Sequence, residues 1–352
     1  MTADRLVTIV INNYNYGRFL ERSVTSALRQ TYRAVEVIVV DDGSTDNSAA
    51  ILAAFHGRCK VVTQPNLGQG GAYNAGFAAS RGEAVLFLDA DDALYPDAIA
   101  TAMAAWRDDV AKVQFYLDVV DADERPLGRR KPNLAFTPGK EESLVRYYGY
   151  YPSPAASGNL YARRVLERIL PMDAARWRKG ADGYTVALAA LYGPIVSIDR
   201  SLGLYRAHGG NQSETGGITV ALLRRRLGNE LDREAALKAH AATLGRSIDR
   251  DLCMTIPQHC KSRLLSLLLE PAAHPVAGDG VIKLVLAAIG ASWRFPHSRL
   301  PKRIVSSLAF VAIPLLPRRW LQRHLDLLFR AELREGFRLS ARQSAGARAA
   351  LS

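Results

Sequence analysis

The stretch Val85-Leu86-Phe87-Leu88-Asp89-Ala90-Asp91-Asp92 decides the fold, because a run of strand-forming apolar residues ends there in three carboxylates. So short and apolar a run predicts a strand covered on both faces, as in a parallel sheet flanked by helices. Carboxylates carried to the end of a buried strand are costly unless a cation or hydrogen-bond donors neutralise them. Oxygen ligands suit hard ions, so the cluster points to Mg²⁺ or Mn²⁺; such a site takes few carboxylates and completes its shell with water and substrate phosphates. Taken alone, an Asp-x-Asp segment reads equally well as a turn and a helix N-cap.

Outward from this strand the same pattern repeats. Residues 6–11 (LVTIVI) and 35–40 (VEVIVV) are apolar runs of strand length, and between them residues 16–30 carry Phe19, Leu20, Val24, Ala27 and Leu28 at helical spacing. Helices over 48–55 and 72–80 and strands over 60–63 and 84–88 extend the alternation, and further strands are expected over 112–120 and 195–198. Right-handed crossovers then give an α/β fold, a mostly parallel twisted sheet with helices on both faces. Ligands bind such sheets outside the carboxyl ends of the strands. The polar clusters Asn12-Asn13-Tyr14-Asn15, Asp41 to Asp46 and Asp89 to Asp92 all fall at that edge. Within the second, Asp46 or Thr45 is expected to cap a helix, while Asp41 at the strand tip suits an N–H of a base edge.

Six motifs in order resemble the N-terminal half of glycosyltransferase family 2: residues 10–16 (VINNYNY), 30–32 (QTY), 36–46 (EVIVVDDGSTD), 66–70 (NLGQG), 74–76 (NAG) and 89–92 (DADD). The resemblance is strong over residues 5–100, weaker to about 214 and absent beyond. It implies a GT-A fold and a nucleotide-sugar transferase. By that likeness Asn12 and Asp41 contact the base or ribose, Asn74 closes the nucleotide pocket, Asp89 faces the ribose and Asp91 binds the metal bridging the donor phosphates. Asp92 either caps a helix starting near Pro96 or supports the metal from behind. Asp182 is the expected general base, although a carboxylate near a helix N-terminus is also favoured there on its own account. His208 is expected at the metal and Arg206 at the diphosphate. The donor is expected to be UDP-linked and the acceptor a glycan or a lipid-linked glycan, transferred to with inversion in cell-surface polysaccharide assembly. A non-catalytic nucleotide-sugar-binding or scaffold subunit is the alternative, and the retained Asp89, Asp91 and Asp182 argue against it.

Residues 66–71 lack the GxxxxGK[ST] form of a phosphate loop, and their glycines suit a backbone passing close under a nucleotide. Tyr147, Tyr148, Tyr150 and Tyr151 read either as packing or as a stacking surface for a sugar or lipid. Cys59, Cys253 and Cys260 show no CxxC spacing, and residues 1–11 offer no leader, so a reducing cytoplasmic setting is expected.

The formal net charge of +12 lies wholly in the C-terminal part: residues 1–217 hold 24 Lys and Arg against 24 Asp and Glu, and residues 218–352 hold 22 against 10. A domain boundary is therefore expected near Gly216-Gly217, giving a catalytic domain over 1–217 and a basic helical region over 218–352. The apolar run 304–316 has basic flanks and Trp320 at its edge, is broken by Pro314, and is too short to span a bilayer. It suits peripheral contact with the inner leaflet, or else a helix pair packed in a core. No zinc-finger spacing or RNP-type aromatic run supports nucleic acid as a partner.

Overall fold

The computed structural model describes residues 5–208, 218–295 and 300–329. They form two compact units, residues 5–142 with 151–208 and residues 143–150 with 218–329. The expected boundary at Gly216-Gly217 lies outside the described residues.

In the first unit, β1 (Val7–Asn13), β2 (Val35–Asp41), β3 (Lys60–Thr63) and β4 (Ala84–Asp89) pair in parallel in the order β3-β2-β1-β4. Their connections are α1 (Gly17–Leu28), α2 (Ser48–Ala53) and α3 (Gly68–Ala79). Val85, Leu86, Phe87 and Leu88 are fully buried, as their unbroken apolar run requires. After β5 (Ala93–Leu94) and α4 (Ala98–Ala104) come β6 (Lys112–Val120), β7 (Pro126–Lys131), α5 (Glu141–Tyr148), whose residues 143–148 belong to the second unit, and then β8 (Asn159–Ala162), α6 (Arg163–Ile169), α7 (Ala181–Ala189) and β9 (Ile195–Arg206). The sheet continues β4-β8-β6-β9-β5, with β7 attached to β6. Antiparallel pairs enter in this second half, where β8 runs against both β4 and β6.

Two elements are longer than their periodicity predicts. The strand expected over 195–198 runs to Arg206, and the helix expected from residue 72 starts at Gly68. Of the tyrosines in the 147–151 segment, Tyr151 is buried with its hydroxyl donating to the Val186 carbonyl, Tyr147 and Tyr148 are half-buried, the first under the Arg250 guanidinium and the second donating to the Arg294 carbonyl, and Tyr150 is exposed.

The second unit is helical: α8 (Val220–Thr243), α9 (Pro257–Leu269), α10 (Val281–Arg294), α11 (Leu300–Ala312) and α12 (Arg318–Arg323). Leu223, Leu264, Leu265, Leu284, Phe310 and Leu321 form its core. Arg263 is buried and held by Asp279, at 2.5 and 2.9 Å, and by Asp251 at 2.5 Å. No described helix is long and apolar enough to cross a membrane.

Gly76 shows how tightly α3 sits on the sheet, since a Cβ there would lie 2.2 Å from Val10 Cγ1 and 3.2 Å from Val40 Cγ2. Overpacking a filled core costs about 1–3 kcal/mol. Gly76→Ala should therefore lower the unfolding free energy by that amount, read as a lower urea midpoint at unchanged m-value, and wild-type stability would mean that α3 has room to lift.

Candidate functional site

The parallel register sets three strand tips side by side: Asn12 lies opposite Asp89 across β1 and β4, and Asn13 opposite Asp41 across β1 and β2. The side chains then interlock. Asn12 Nδ2 donates to Asp89 Oδ1 at 2.8 Å, and Asn13 Nδ2 and Ser44 Oγ both donate to Asp41 Oδ1, at 2.9 and 2.5 Å. The carbonyl oxygens Asn12 Oδ1 and Asn13 Oδ1 are buried and accept no hydrogen bond. Buried acceptors without a donor are costly, so two of them at the strand tips mark where a ligand's N–H or O–H groups would fit.

Past β4, ligand atoms of Asp89, Asp91 and Asp92 lie within 4.8 Å of one another. Their environments differ. Asp92 is buried and fully engaged, accepting from Ser157 Oγ at 2.6 Å and from the Arg206 backbone N–H at 3.0 Å. It ties the end of β9 to the tip of β4 and does not cap α4, whose N-cap is Asp97. Asp91 Oδ2 lies 3.0 Å from His208 Nε2. The imidazole is wedged against the Phe19 ring, centroids 4.8 Å apart, and edge-on to Tyr16 at 5.6 Å. The structure thus groups Asp89 with Asp91 and Asp92 and sets His208 against Asp91; the carboxylate oxygens are hard donors that fit Mg²⁺ or Mn²⁺.

The uncompensated charge is visible in the proton affinities. Burial and then the Asp91 carboxylate push the Asp89 carboxyl up to about 7, against the opposing hydrogen bond from Asn12. Burial and then the charges of Asp91 and Asp89 raise Asp92 as well. Tyr16, which the motif reading passed over, is raised by burial and then by all three carboxylates. A divalent cation is the direct remedy for such a cluster.

Asp182 sits half-buried in the first turn of α7, whose N-cap is Gly180 in the left-handed region at φ 82°. It is therefore not the cap. Its charge contributes, after burial and Asp91, to raising Asp89. Gln69 helps to set this helix start, because its Oε1 accepts the N–H groups of Gly180 and Ala181, both at 3.0 Å. Tyr73 is fully buried and stacked on Phe87 at 3.9 Å, and its raised pKa reflects burial and then Asp89 and Asp182. Neither Gln69 nor Tyr73 was legible as a site residue, since nothing in local spacing says which side of a helix start meets a distant loop.

Three expectations are corrected by the contacts. Arg206 is 3 % exposed, and its guanidinium donates to the Asp91 carbonyl at 2.8 Å, the Ala122 carbonyl at 3.1 Å and Glu124 at 2.8 Å. Facing protein acceptors, it braces Asp91 from behind and does not present its charge to a diphosphate. Asn74 exchanges two hydrogen bonds with the Met172 backbone, at 2.7 and 2.9 Å, so it anchors a loop and does not itself close on a nucleotide. The glycines of 68–70 answer to protein and not to a nucleotide: a Cβ on Gly68 would meet the Arg178 backbone at 2.6 Å, and Gly70 N–H donates to the Trp177 carbonyl at 2.9 Å. At the start of α3, Leu67 and Gly68 N–H donate to Asp42, and Gln69 N–H donates to the Arg178 carbonyl. That helix end is already satisfied, as the missing phosphate-loop form implied.

The sequence model described as Glycosyl transferase family 2 matches residues 8–170. An uncharacterized glycosyltransferase of Nostoc sp. is 37 % identical over 211 residues, which cover 58 % of this chain and 66 % of that protein. The succinoglycan biosynthesis protein ExoO of Rhizobium meliloti is 35 % identical over 215 residues, 56 % of this chain and 59 % of ExoO. The Escherichia coli chondroitin synthase is 40 % identical over 114 residues, 32 % of this chain and 17 % of the synthase. The chain thus matches less than two thirds of the length of each of these relatives. Among solved structures, S. aureus TarS 1-349 in complex with UDP-GlcNAc superposes with a TM-score of 0.53 at 14 % identity, covering 91 % of each chain, and so shares the GT-A-like fold.

The differing environments of Asp92 and Asp91 predict different losses. Asp92→Ala leaves buried donors unpaired and should cost about 1–3 kcal/mol of stability, whereas Asp91→Ala removes a repelling charge and should cost less. Calorimetry of the two variants decides it; equal losses would mean that Asp92 is no brace.

Proposed function

We propose that this chain, whose residues 8–170 are a glycosyl transferase family 2 domain, is an inverting, metal-dependent transferase acting on a nucleoside-diphosphate sugar. The observation that carries this reading is the convergence of Asp89, Asp91 and Asp92, with His208 against Asp91, beside the strand tips where Asn12 and Asn13 hold unpaired acceptor oxygens. Those acceptors suit the N–H edge of a base such as uracil, which supports a UDP-linked donor. Asp41 holds Asn13 and Ser44 in place beside them, and Asp89 holds Asn12.

Asp91, with Asp89 and His208, would hold Mg²⁺ or Mn²⁺, and the bound ion supplies electrostatic stabilisation of the departing diphosphate. Asp182 takes the proton of the acceptor hydroxyl as its oxygen attacks the anomeric carbon from the face opposite the leaving group. One base and no enzyme nucleophile mean direct displacement, so the anomeric configuration inverts. Gln69 positions Asp182 through the two N–H groups that start α7, and Arg206 and Asp92 hold the Asp91 turn from behind.

The acceptor in this reading is a hydroxyl of a glycan or lipid-linked glycan in polysaccharide assembly, a setting supported by the likeness to ExoO. Residues 1–217 would serve as the catalytic part, and the basic region 218–352 would bring it peripherally to the cytosolic face of a membrane.

Two variants test the assignments. Asp91→Ala should abolish the Mn²⁺-dependent rise in melting temperature given by UDP while the apo protein still melts cooperatively; unaltered UDP binding with Mn²⁺ would refute the metal role. Asp182→Asn should leave donor affinity intact and lower kcat by a factor on the order of 10² to 10⁴. Turnover near wild type, or a product with retained configuration by proton NMR, would remove Asp182 as the base.

A further inference from the structure

Helix α10 is apolar on two opposite sides. One stripe, Leu284, Ala288 and Ala291, is buried in the core of the helical unit. The other, Ile282, Leu286 and Trp293 at i, i+4 and i+11, runs along the opposite side, and Ile282 and Leu286 are 77 % and 64 % exposed. On α11 only Phe310 is buried, while Ile304, Leu308 and Val311, at i, i+4 and i+7, stay exposed and Leu315 continues their line. Trp293 Nε1 donates to Ser307 Oγ at 3.2 Å, which holds the two stripes side by side. A helix apolar on both sides is expected where both are covered, and no described residue covers this one.

Charge indicates what does. From Val281 to Leu325 the sequence has eight Lys and Arg and no Asp or Glu. Arg318, Arg319 and Arg323 are exposed on α12, and Lys283 is exposed beside Ile282. A second copy of the chain would fit poorly, because a two-fold interface brings each basic surface against itself. Neither helix, at 14 and 13 residues, can span a bilayer. An apolar face of this length with a basic border is instead suited to lie in the plane of an anionic headgroup layer.

We propose that the exposed faces of α10 and α11 form a docking surface for an anionic lipid bilayer, their apolar side chains entering the acyl boundary and the arginines of α12 meeting the headgroups. It gives the peripheral attachment of the preceding reading a definite surface, and rests on that reading only for its purpose.

Flotation of the full-length protein with phosphatidylcholine vesicles, with and without phosphatidylglycerol, tests it. The wild type should float with the anionic vesicles and bind the neutral ones far more weakly. Leu286→Gln/Leu308→Gln replaces two exposed side chains, so it should keep the wild-type melting curve, yet bind anionic vesicles weaker by about tenfold or more, the worth of even one buried leucine. A wild type that stays with the dense fraction in both cases, or a double variant that floats equally well, overturns the proposal. So does light scattering that shows a dimer which the double variant dissolves, since the face would then belong to a second copy. UDP binding with Mn²⁺, read on the same samples, keeps the two readings apart: lost flotation with retained nucleotide binding fails the surface alone, and the converse fails the transferase reading alone.

Discussion

Gathering three carboxylates, Asp91 and Asp92 buried and Asp89 half-buried, at the end of one strand is the constraint on which the rest of the first unit depends. Like charges at this spacing repel strongly once water is excluded, and the protein meets them with particular donors and not with bulk solvent. Asn12 comes from the neighbouring strand, Ser157 from the turn before β8, the Arg206 backbone from β9 and His208 from just beyond it. Each donor belongs to a different element. The cluster therefore fixes the relative positions of β1, β4, β8 and β9 at the edge of the sheet where a ligand would bind.

The same arrangement has a thermodynamic consequence. A carboxyl whose folded pKa is raised binds its proton more tightly in the folded state than in the unfolded one. Its contribution to stability is present in full below the unfolded value near 3.8 and is lost as pH rises through about 7, the folded value of Asp89. At neutral pH the cluster thus works against folding. A bound dication reverses the balance, since it favours the charged form that the fold otherwise disfavours.

The sequence made the parallel half of the sheet legible because every strand there is an unbroken apolar run ending in polar residues, and period and length together leave little choice. The second half was legible only in part: strands over 112–120 and 195–198 could be read, but β9 has polar residues through its middle and β8 is four residues long, so their full extent and antiparallel pairing carry no pattern in length or alternation. Within the site, residues whose role follows from standing at a strand tip, Asn12, Asp41, Asp89 and Asp91, were readable. Arg206, Asn74 and Gln69 were not, because their roles depend on which way a side chain turns after the strand or helix is formed. An arginine near a strand end suits a phosphate and a carbonyl cage equally well, and only the three-dimensional partners at Asp91, Ala122 and Glu124 separate the two.

Two frequent ways of holding a diphosphate are closed in this unit. The start of α3 gives its N–H groups to Asp42 and the Arg178 carbonyl, and the Arg206 guanidinium is directed to protein acceptors. An anion at the strand tips would lie beside these carboxylates, and without a cation that neighbourhood is repulsive. The chain's own charge and the charge of a nucleoside diphosphate thus call for the same remedy. In the proposed reading a divalent ion held by these carboxylates would offset both charges, so that carboxylates costly by themselves would serve to hold the donor.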